Sequence, residues 1–255
     1  MNDTNPTKLP RGSRWCAIGS VLAGFGLLLV VTGPMTARLG MLSPIGAFLA
    51  FGTGLLLLLL SLLLLVIGLL LSKGSGGDVA PGRAWGSLVA GVLVLGALGA
   101  TYPSGEPAPA IHDLTTDVSD PPEFVALVAI RAADEAQNPP EYAGDETAQL
   151  QQAAFPDLQT LQLNASPDAV LAAAAEVARE LDWAVVAEDQ AAGIVEATDT
   201  TRWFRFKDDV VIRVRPTAGG SEVDVRSKSR VGRGDMGANA ARIREFLEQL
   251  QGAVG

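Results

Sequence analysis

Three long apolar runs occupy the first hundred residues, and they constrain the fold more than any other feature of the chain. The runs cover about residues 15–32, 44–71 and 84–100. A helix needs about 17–25 apolar residues to cross a bilayer, so each run is long enough to span. None of the runs contains Asp, Glu, Lys, Arg or His, which argues against transport by these helices alone. Residues 1–100 are therefore predicted to form a three-helix transmembrane anchor in contact with the lipid bilayer.

The basic residues predict how this anchor is oriented. Those that precede the first span or flank the second loop are Lys8, Arg11, Arg14, Lys73 and Arg83, whereas the first loop has only Arg38. After the third span, no Lys or Arg occurs before Arg131. Because cytoplasmic loops are enriched in Lys and Arg, the N-terminus is predicted to be cytoplasmic and the C-terminal part extracytoplasmic. Cleavage of the first run as a signal peptide is the alternative, and Met35-Thr36-Ala37 is a poor cleavage site.

The rest of the chain has the composition of an acidic, water-soluble domain. Residues 1–100 carry a net charge of +4, and residues 101–255 carry −13. Such a domain repels phosphate backbones, so nucleic acid is not a predicted partner.

The single cysteine, Cys16, excludes an intramolecular disulfide and a cysteine-based metal site. A linker rich in Pro and Gly is predicted over residues 101–110, followed by the domain at 111–255.

Residues 158–251 have the clearest secondary-structure pattern of the domain. Ser166 is a good N-cap, and Pro167 at the first helical position opens an Ala-rich helix that extends to about Leu181. A second helix is predicted from about Met236 to Gln251. The predicted strands are Leu161–Leu163, Trp183–Ala187, Ile194–Thr198, Asp209–Arg215 and Glu222–Ser229, with Trp203–Phe206 continuing or following the third. This order predicts an α+β soluble domain, with an antiparallel sheet of four to five strands and two helices packed on one face.

The last two strands can be aligned from the sequence. A four-residue loop at Thr217–Gly220 places three opposite-charge pairs on one face and two apolar pairs on the other. The apolar pairs are Val214 with Val223 and Ile212 with Val225. The charged pairs are Arg215 with Glu222, Arg213 with Asp224, and Asp209 with Lys228. A shift by one residue would put the charges in the core, so the register is well specified.

A basic string at the end of the last strand is the first candidate site. Arg226, Arg230 and Arg233 lead into a glycine turn, with Asp235 at the start of the final helix. The positive end of a helix suits an anion or an acidic partner. The alternative is that these arginines bind carboxylates of the domain itself. Gly232–Gly237 also matches a dinucleotide-binding pattern, but too few residues follow for the returning strand.

His112, Asp113 and Asp117 form the second candidate site, as possible ligands of a hard cation. They lack EF-hand or zinc spacing, and turn formation explains them equally well. No cofactor is predicted. A Cys–His pair is excluded within the domain, although an enzyme built on two carboxylates remains an alternative. Trp203, Phe204 and Phe206 alternate with basic residues, which is interpreted as the two faces of one strand.

Two strings of the domain have specific patterns. Arg202–Arg215 contains Trp-Phe-x-Phe-Lys-Asp-Asp, and Asp224–Asp235 contains Arg-Ser-x-Ser-Arg-x-Gly. Both resemble a known family, the bacterial domain of unknown function 1499. The resemblance spans about Ile111 to Leu250, and the Ile111–Asp117 segment resembles the family's membrane-anchored branch. It implies a protein of the bacterial cell envelope and supplies no reaction, ligand or catalytic residue. The expected location is therefore the inner membrane, with the domain in the periplasm.

Three functions remain open on the sequence. The first is a binding or interaction module that recognises an envelope component or a partner protein. The second is a periplasmic enzyme that uses carboxylates or a metal near Asp113 and Asp117. The third is an accessory subunit whose spans dock on another membrane protein.

Overall fold

The computed structural model describes residues 12–72, 81–100 and 108–255. The chain divides into two compact units. One contains the three long helices together with residues 202–205, and the other contains the remaining described residues from 108 onward. Residues 101–107, most of the expected linker, lie outside the described residues.

The first unit contains helices α1 (Ser13–Arg38), α2 (Pro44–Ser72) and α3 (Pro81–Ala100). All three are long and apolar enough to cross a membrane, as the sequence predicts. The first helix continues through Pro34 to Arg38, beyond the expected end at residue 32.

Glycines spaced seven residues apart hold α1 and α2 together. Gly19 faces Leu65 on α2, Gly26 faces Gly54, and Gly33 faces Ala47 and Phe51. A Cβ on Gly26 would lie only 2.9 Å from the Gly54 carbonyl oxygen. Two helix backbones approach this closely only where side chains are absent or very small.

The second unit is an α+β domain with a six-stranded antiparallel sheet. The strand order is β1-β6-β5-β4-β3. Strand β2 also pairs with β6, at residues 221–223, whereas β1 pairs with residues 226–228. Its helices are α4 (Ala126–Ala133), α5 (Asp145–Ala154), α6 (Pro167–Glu180) and α7 (Ala238–Val254). Its strands are β1 (Asp113–Thr115), β2 (Leu161–Leu163), β3 (Ala184–Asp189), β4 (Ile194–Thr200), β5 (Lys207–Thr217) and β6 (Gly220–Ser229).

One face of this sheet, here called the apolar face, is covered by α6 and α7, as expected. Val210, Ile212 and Val214 of β5 share one core with residues of both helices, including Ala174 and Phe246. Helix α6 begins where the sequence places it, because the Ser166 hydroxyl accepts a hydrogen bond from the Ala169 amide. The β5–β6 register is also confirmed, including the pairs Arg213↔Asp224 and Val214↔Val223.

Three local expectations are wrong. Residues 202–204 form a turn, and Arg205 has φ +62°, a left-handed value that a strand does not allow. The β5–β6 loop is shorter than expected, because Thr217 and Gly220 already pair and leave two residues between them. Asp113–Thr115, expected to be turn-prone, forms β1, because its pairing with Arg226–Lys228 outweighs the weak strand propensity of Asp.

The opposite face of the sheet, here called the ionic face, is also buried. Helix α4 lies on it, with Leu127 and the preceding Phe124 packed against Val211. The Glu196 carboxylate of β4 accepts hydrogen bonds from the backbone N–H groups of residues 125, 126 and 127, at 2.8 to 3.0 Å. A strand side chain thus caps this helix, and α4 is fixed over the charged side chains of β5 and β6.

Candidate binding site

Three buried aspartates organise the ionic face, and each binds two basic side chains. Asp209 accepts from Arg131 at 2.5 Å and from Arg230 at 2.6 and 2.8 Å. Asp113 accepts from Arg226 at 2.8 and 3.0 Å and from Lys228 at 2.9 Å. Asp224 accepts from Arg213 at 3.0 Å and from Arg215 at 2.8 Å. All three aspartates are fully buried, and so are the cations that bind Asp209 and Asp113, whereas Arg213 and Arg215 on Asp224 are partly exposed.

The cross-strand charge pairs predicted from the register are only partly formed. Arg213 binds Asp224 and Arg215 binds Glu222, as expected. Asp209 and Lys228 are opposite in register, but the Lys228 ammonium binds Asp113 instead. The reason is that β1 adds to the other edge of β6 and places Asp113 directly opposite Lys228. Burial lowers the pKa of Lys228, and the Asp113 carboxylate opposes that shift.

The members of the basic string are separated by the fold. Arg226 and Arg230 are buried, and Arg230 also binds Asp134. Arg233 is exposed in the turn before α7. The Asp235 carboxylate accepts from the backbone N–H groups of Gly237 and Asn239 at 2.9 and 2.7 Å, so it caps α7. This geometry favours the interpretation in which Arg226 and Arg230 bind carboxylates of the domain itself.

His112, Asp113 and Asp117 are not assembled into a metal site. Asp113 is committed to Arg226 and Lys228, and Asp117 accepts from the hydroxyl and backbone N–H of Ser119. Burial lowers the pKa of His112, and the nearby Lys228 ammonium lowers it further. Across residues 12–72, 81–100 and 108–255, no group of three or more His, Cys, Asp or Glu side chains is placed to hold a metal ion.

A repeated pentapeptide surrounds Arg226. Asp120-Pro-Pro-Glu-Phe124 and Asn138-Pro-Pro-Glu-Tyr142 share the pattern Asp/Asn, Pro, Pro, Glu, aromatic. In each copy the carbonyl of the second proline accepts from Arg226, Pro122 from Nη1 at 3.1 Å and Pro140 from Nη2 at 2.9 Å. In each copy the aromatic ring also lies against the guanidinium, at 4.7 Å for Phe124 and 5.5 Å for Tyr142. We call this arrangement the Arg226 clamp.

An open pocket of about 350 Å³ lies at the Arg226 clamp. Its walls are residues of both pentapeptides together with Val128 of α4, and Arg226 lines it as well. Glu123 and Glu141, which occupy equivalent positions in the two copies, are exposed where they line the pocket. The lining residues are Ser119, Asp120, Pro121, Glu123, Phe124, Val128, Pro140, Glu141, Tyr142 and Arg226.

The charge of this pocket is negative on balance. Arg226 is its lining cation and binds Asp113, which it shares with Lys228, whereas Asp120, Glu123 and Glu141 line the pocket as carboxylates. Asp120 also binds Arg213 and Arg215. The Tyr142 hydroxyl is buried and has no hydrogen-bond partner among the described residues. Burial raises the pKa of Tyr142 to about 12, and the Asp113 carboxylate contributes to that rise. The tyrosine therefore remains a neutral donor across the physiological range.

Arg226 is a candidate from the sequence, but its partners are not. On sequence alone the two Pro-Pro segments indicate turns or helix breaks, which accounts for the prolines and leaves the Glu and aromatic residues unexplained. The available signal is the recurrence of the pentapeptide at an interval of 18 residues. A repeat of this kind indicates two segments with equivalent structural roles.

Comparison with known proteins gives a family and no activity. No curated protein matches the chain. Residues 113–250, more than half of the chain, match a family model described as a protein of unknown function (DUF1499). The match contains both pentapeptides, the whole sheet and most of α7. The chain therefore belongs to the DUF1499 family of proteins of unknown function.

Proposed function

We propose that this protein is a membrane-anchored binding module whose pocket at the Arg226 clamp receives a cationic group of an envelope component or partner protein. The support comes from the charge of the pocket. The clamp supplies four acceptors to Arg226, two from Asp113 and two from proline carbonyls, and so satisfies this cation internally. The pocket carboxylates then favour a positively charged ligand.

The shape and lining of the pocket define the ligand class further. Phe124, Val128 and the prolines supply apolar contact, and Glu123 and Glu141 lie at exposed positions. An alkylammonium group fits this arrangement, since its aliphatic stem packs on apolar surface while the charged end meets carboxylate. A lysine side chain presents such a group.

The observation that carries this proposal is that Asp113 and two proline carbonyls already accept the hydrogen bonds of Arg226, beside exposed carboxylates of the same pocket. The test compares two probes of equal size, butylammonium and butyrate, on the full-length protein in detergent by ligand-observed NMR. Butylammonium is expected to bind, and binding is expected to fall at least tenfold in a Glu123→Gln, Glu141→Gln variant. The matched control is Glu180→Gln, Glu248→Gln, which removes two exposed carboxylates elsewhere. Preferential binding of butyrate, or equal loss in both variants, contradicts the proposal.

We further propose that the N-terminus is cytoplasmic and that the α+β domain is extracytoplasmic, in the periplasm of a bacterial inner membrane. The support is the concentration of basic residues at or before the start of α1 and around the loop from α2 to α3: Lys8, Arg11, Arg14, Lys73 and Arg83. The test is an Ala191→Cys substitution in a Cys16→Ser background, because Ala191 is exposed in the β3–β4 turn. A membrane-impermeant maleimide is expected to label it in cells whose outer membrane alone is permeabilised. Labelling only after lysis of the inner membrane contradicts this orientation.

A further inference from the structure

The turn between β4 and β5 exposes an aromatic side chain that the binding pocket does not use. We call residues 202–205 the aromatic turn; its sequence is Arg-Trp-Phe-Arg. Trp203 is 57% exposed, whereas Trp183 of the same domain is 6% exposed in the core. The Arg202 guanidinium lies 5.6 Å from the centre of the Trp203 ring. A solvated tryptophan beside an arginine is an unusual surface for an isolated water-soluble domain.

The backbone holds the aromatic turn in a defined conformation. The Thr201 amide donates to the Phe206 carbonyl at 2.8 Å, and the Phe206 amide donates to the Thr201 hydroxyl at 2.9 Å. Arg205 adopts φ +62° between these bonds, a conformation that is costly for a residue with a side chain. The exposed tryptophan is therefore presented by a closed turn.

The charge of the aromatic turn is opposite to that of its domain. Residues 200–207 contain Arg202, Arg205 and Lys207 and no acidic residue, although residues 101–255 carry −13 overall. Lys207 binds Asp134, but Arg202 and Arg205 are both exposed. An exposed Trp between two exposed Arg residues matches the chemistry of the lipid headgroup region, where tryptophan and basic side chains concentrate.

The turn is also grouped with the apolar helices. Residues 202–205 belong to the same compact unit as α1, α2 and α3. Within that unit the Phe204 ring lies edge-on to Phe48 and Phe51, with ring centres 5.3 and 5.4 Å apart. The turn is thus placed with helices that are long and apolar enough to cross a membrane.

We infer that the aromatic turn is a membrane-interface anchor, in which Trp203 enters the headgroup region and Arg202 and Arg205 bind anionic lipid phosphates. The inference does not depend on the ligand pocket, because no residue of the turn lines that pocket. The expected role is to attach the α+β domain to the bilayer surface through lipid contacts of the turn, in addition to the covalent connection through residues 101–107.

The test uses the fluorescence of Trp203 in the full-length protein, reconstituted in vesicles of phosphatidylcholine with a minority of phosphatidylglycerol. Subtracting the spectrum of a Trp203→Phe variant from that of the parent isolates the Trp203 emission. This emission is expected to be blue-shifted, quenched by lipids brominated near the acyl carbonyl, and protected from acrylamide. A red-shifted emission that acrylamide quenches and brominated lipid does not would show a water-exposed turn and overturn the inference. A blue-shifted emission that neither acrylamide nor brominated lipid quenches would show a turn that faces protein, and would overturn it as well.

The contribution of the arginines is measured separately. Bromolipid quenching gives the ratio of protein with Trp203 in the headgroup region to protein with Trp203 outside it. An Arg202→Gln, Arg205→Gln variant is expected to lower this ratio about fivefold per arginine in vesicles that contain phosphatidylglycerol. The matched control is Arg179→Gln, Arg244→Gln, which removes two exposed arginines outside the turn. The control is expected to leave bromolipid quenching unchanged. Equal losses in the two variants would show a general charge effect and would overturn the assignment to this turn.

Discussion

The apolar face and the ionic face of the sheet differ in what their buried side chains contact. On the apolar face, Ile212 and Val214 of β5 pack against α6 and α7. On the ionic face, Asp209 of the same strand binds Arg131 and Arg230, and both arginines are buried. Over residues 209–214 of β5, alternate residues therefore enter two different buried environments, one apolar and one that contains buried ion pairs.

This difference predicts different responses to substitution. Apolar contacts are non-directional, and neighbours adjust partly to a small change in volume. A buried carboxylate between two guanidiniums has no such tolerance, because removing it leaves uncompensated charge in a low-dielectric environment. We therefore expect the ionic face to be the more sensitive of the two to substitutions that conserve volume.

The largest effect is expected for Asp209→Asn, which keeps the shape of the side chain and removes its charge. Two buried guanidiniums lose their shared carboxylate, so we expect a loss of about 3–5 kcal/mol in the free energy of unfolding. The measurement is chemical denaturation of the full-length protein in detergent, followed by near-ultraviolet circular dichroism.

Asp157→Asn is the matched control for this substitution. Asp157 binds Arg244 at the surface, where both side chains are about half exposed. Exposed pairs contribute about 0–1 kcal/mol, so this variant should unfold close to the parent. Similar losses for Asp157→Asn and Asp209→Asn would show that burial does not distinguish the two ion pairs.

A smaller effect is expected for Glu196→Gln, which alters the cap of α4. The carboxylate accepts three backbone N–H bonds, and an amide keeps only one acceptor oxygen, so we expect a loss of about 1–3 kcal/mol. Hydrogen exchange should show faster exchange in residues 125–133 than in β5. Uniform acceleration across the whole domain would indicate that the cap does not act locally on α4.

The two faces also differ in how much the sequence reveals. Alternation of apolar residues along β5 and β6 is a local pattern, and it yields the register and the face that α6 and α7 cover. The ionic face depends on partners remote in sequence: Asp113 and Arg226 are 113 residues apart. Opposite charges on a strand are equally compatible with a solvated face, so its burial under α4 could not be inferred from the pattern.

The pocket at the Arg226 clamp could be predicted from the sequence less fully than the apolar face and more fully than the rest of the ionic face. Its floor residue, Arg226, is a candidate in the sequence because no cross-strand acid faces it. Its walls come from two pentapeptides whose recurrence is visible in the sequence, but whose convergence on one guanidinium requires the fold. At His112, Asp113 and Asp117, by contrast, residues that are close in sequence do not share a site. Asp113 binds Arg226 and Lys228, whereas Asp117 accepts from Ser119.

On the apolar face, Ile243→Val tests the tolerance expected of packed hydrocarbon. Ile243 of α7 is fully buried in the core, and deleting one methyl group typically costs about 0.5–1.5 kcal/mol. The same denaturation measurement gives the value. A loss as large as that of Asp209→Asn would remove the proposed contrast between the two faces.

The smallest effect at neutral pH is expected for Tyr142→Phe, because the buried hydroxyl has no partner among the described residues. In the folded protein the pKa of Tyr142 is raised from 10.0 to about 12 by burial first and by Asp113 second. A raised pKa means that the associated stability is present below about pH 10 and is lost as pH rises toward 12. The parent should therefore lose stability over this interval, and the variant should lose less.

Tyrosinate absorbance measures this pKa directly, because the chain has two tyrosines, Tyr102 and Tyr142. The difference between the titrations of the parent and Tyr142→Phe isolates Tyr142, and Tyr102→Phe serves as the control. A midpoint near 12 supports a hydroxyl that is shielded from water beside the Arg226 clamp. A midpoint near 10 would mean that water solvates the tyrosinate, so that the ionic face is not dry at this point and its carboxylates and cations interact through a higher effective dielectric.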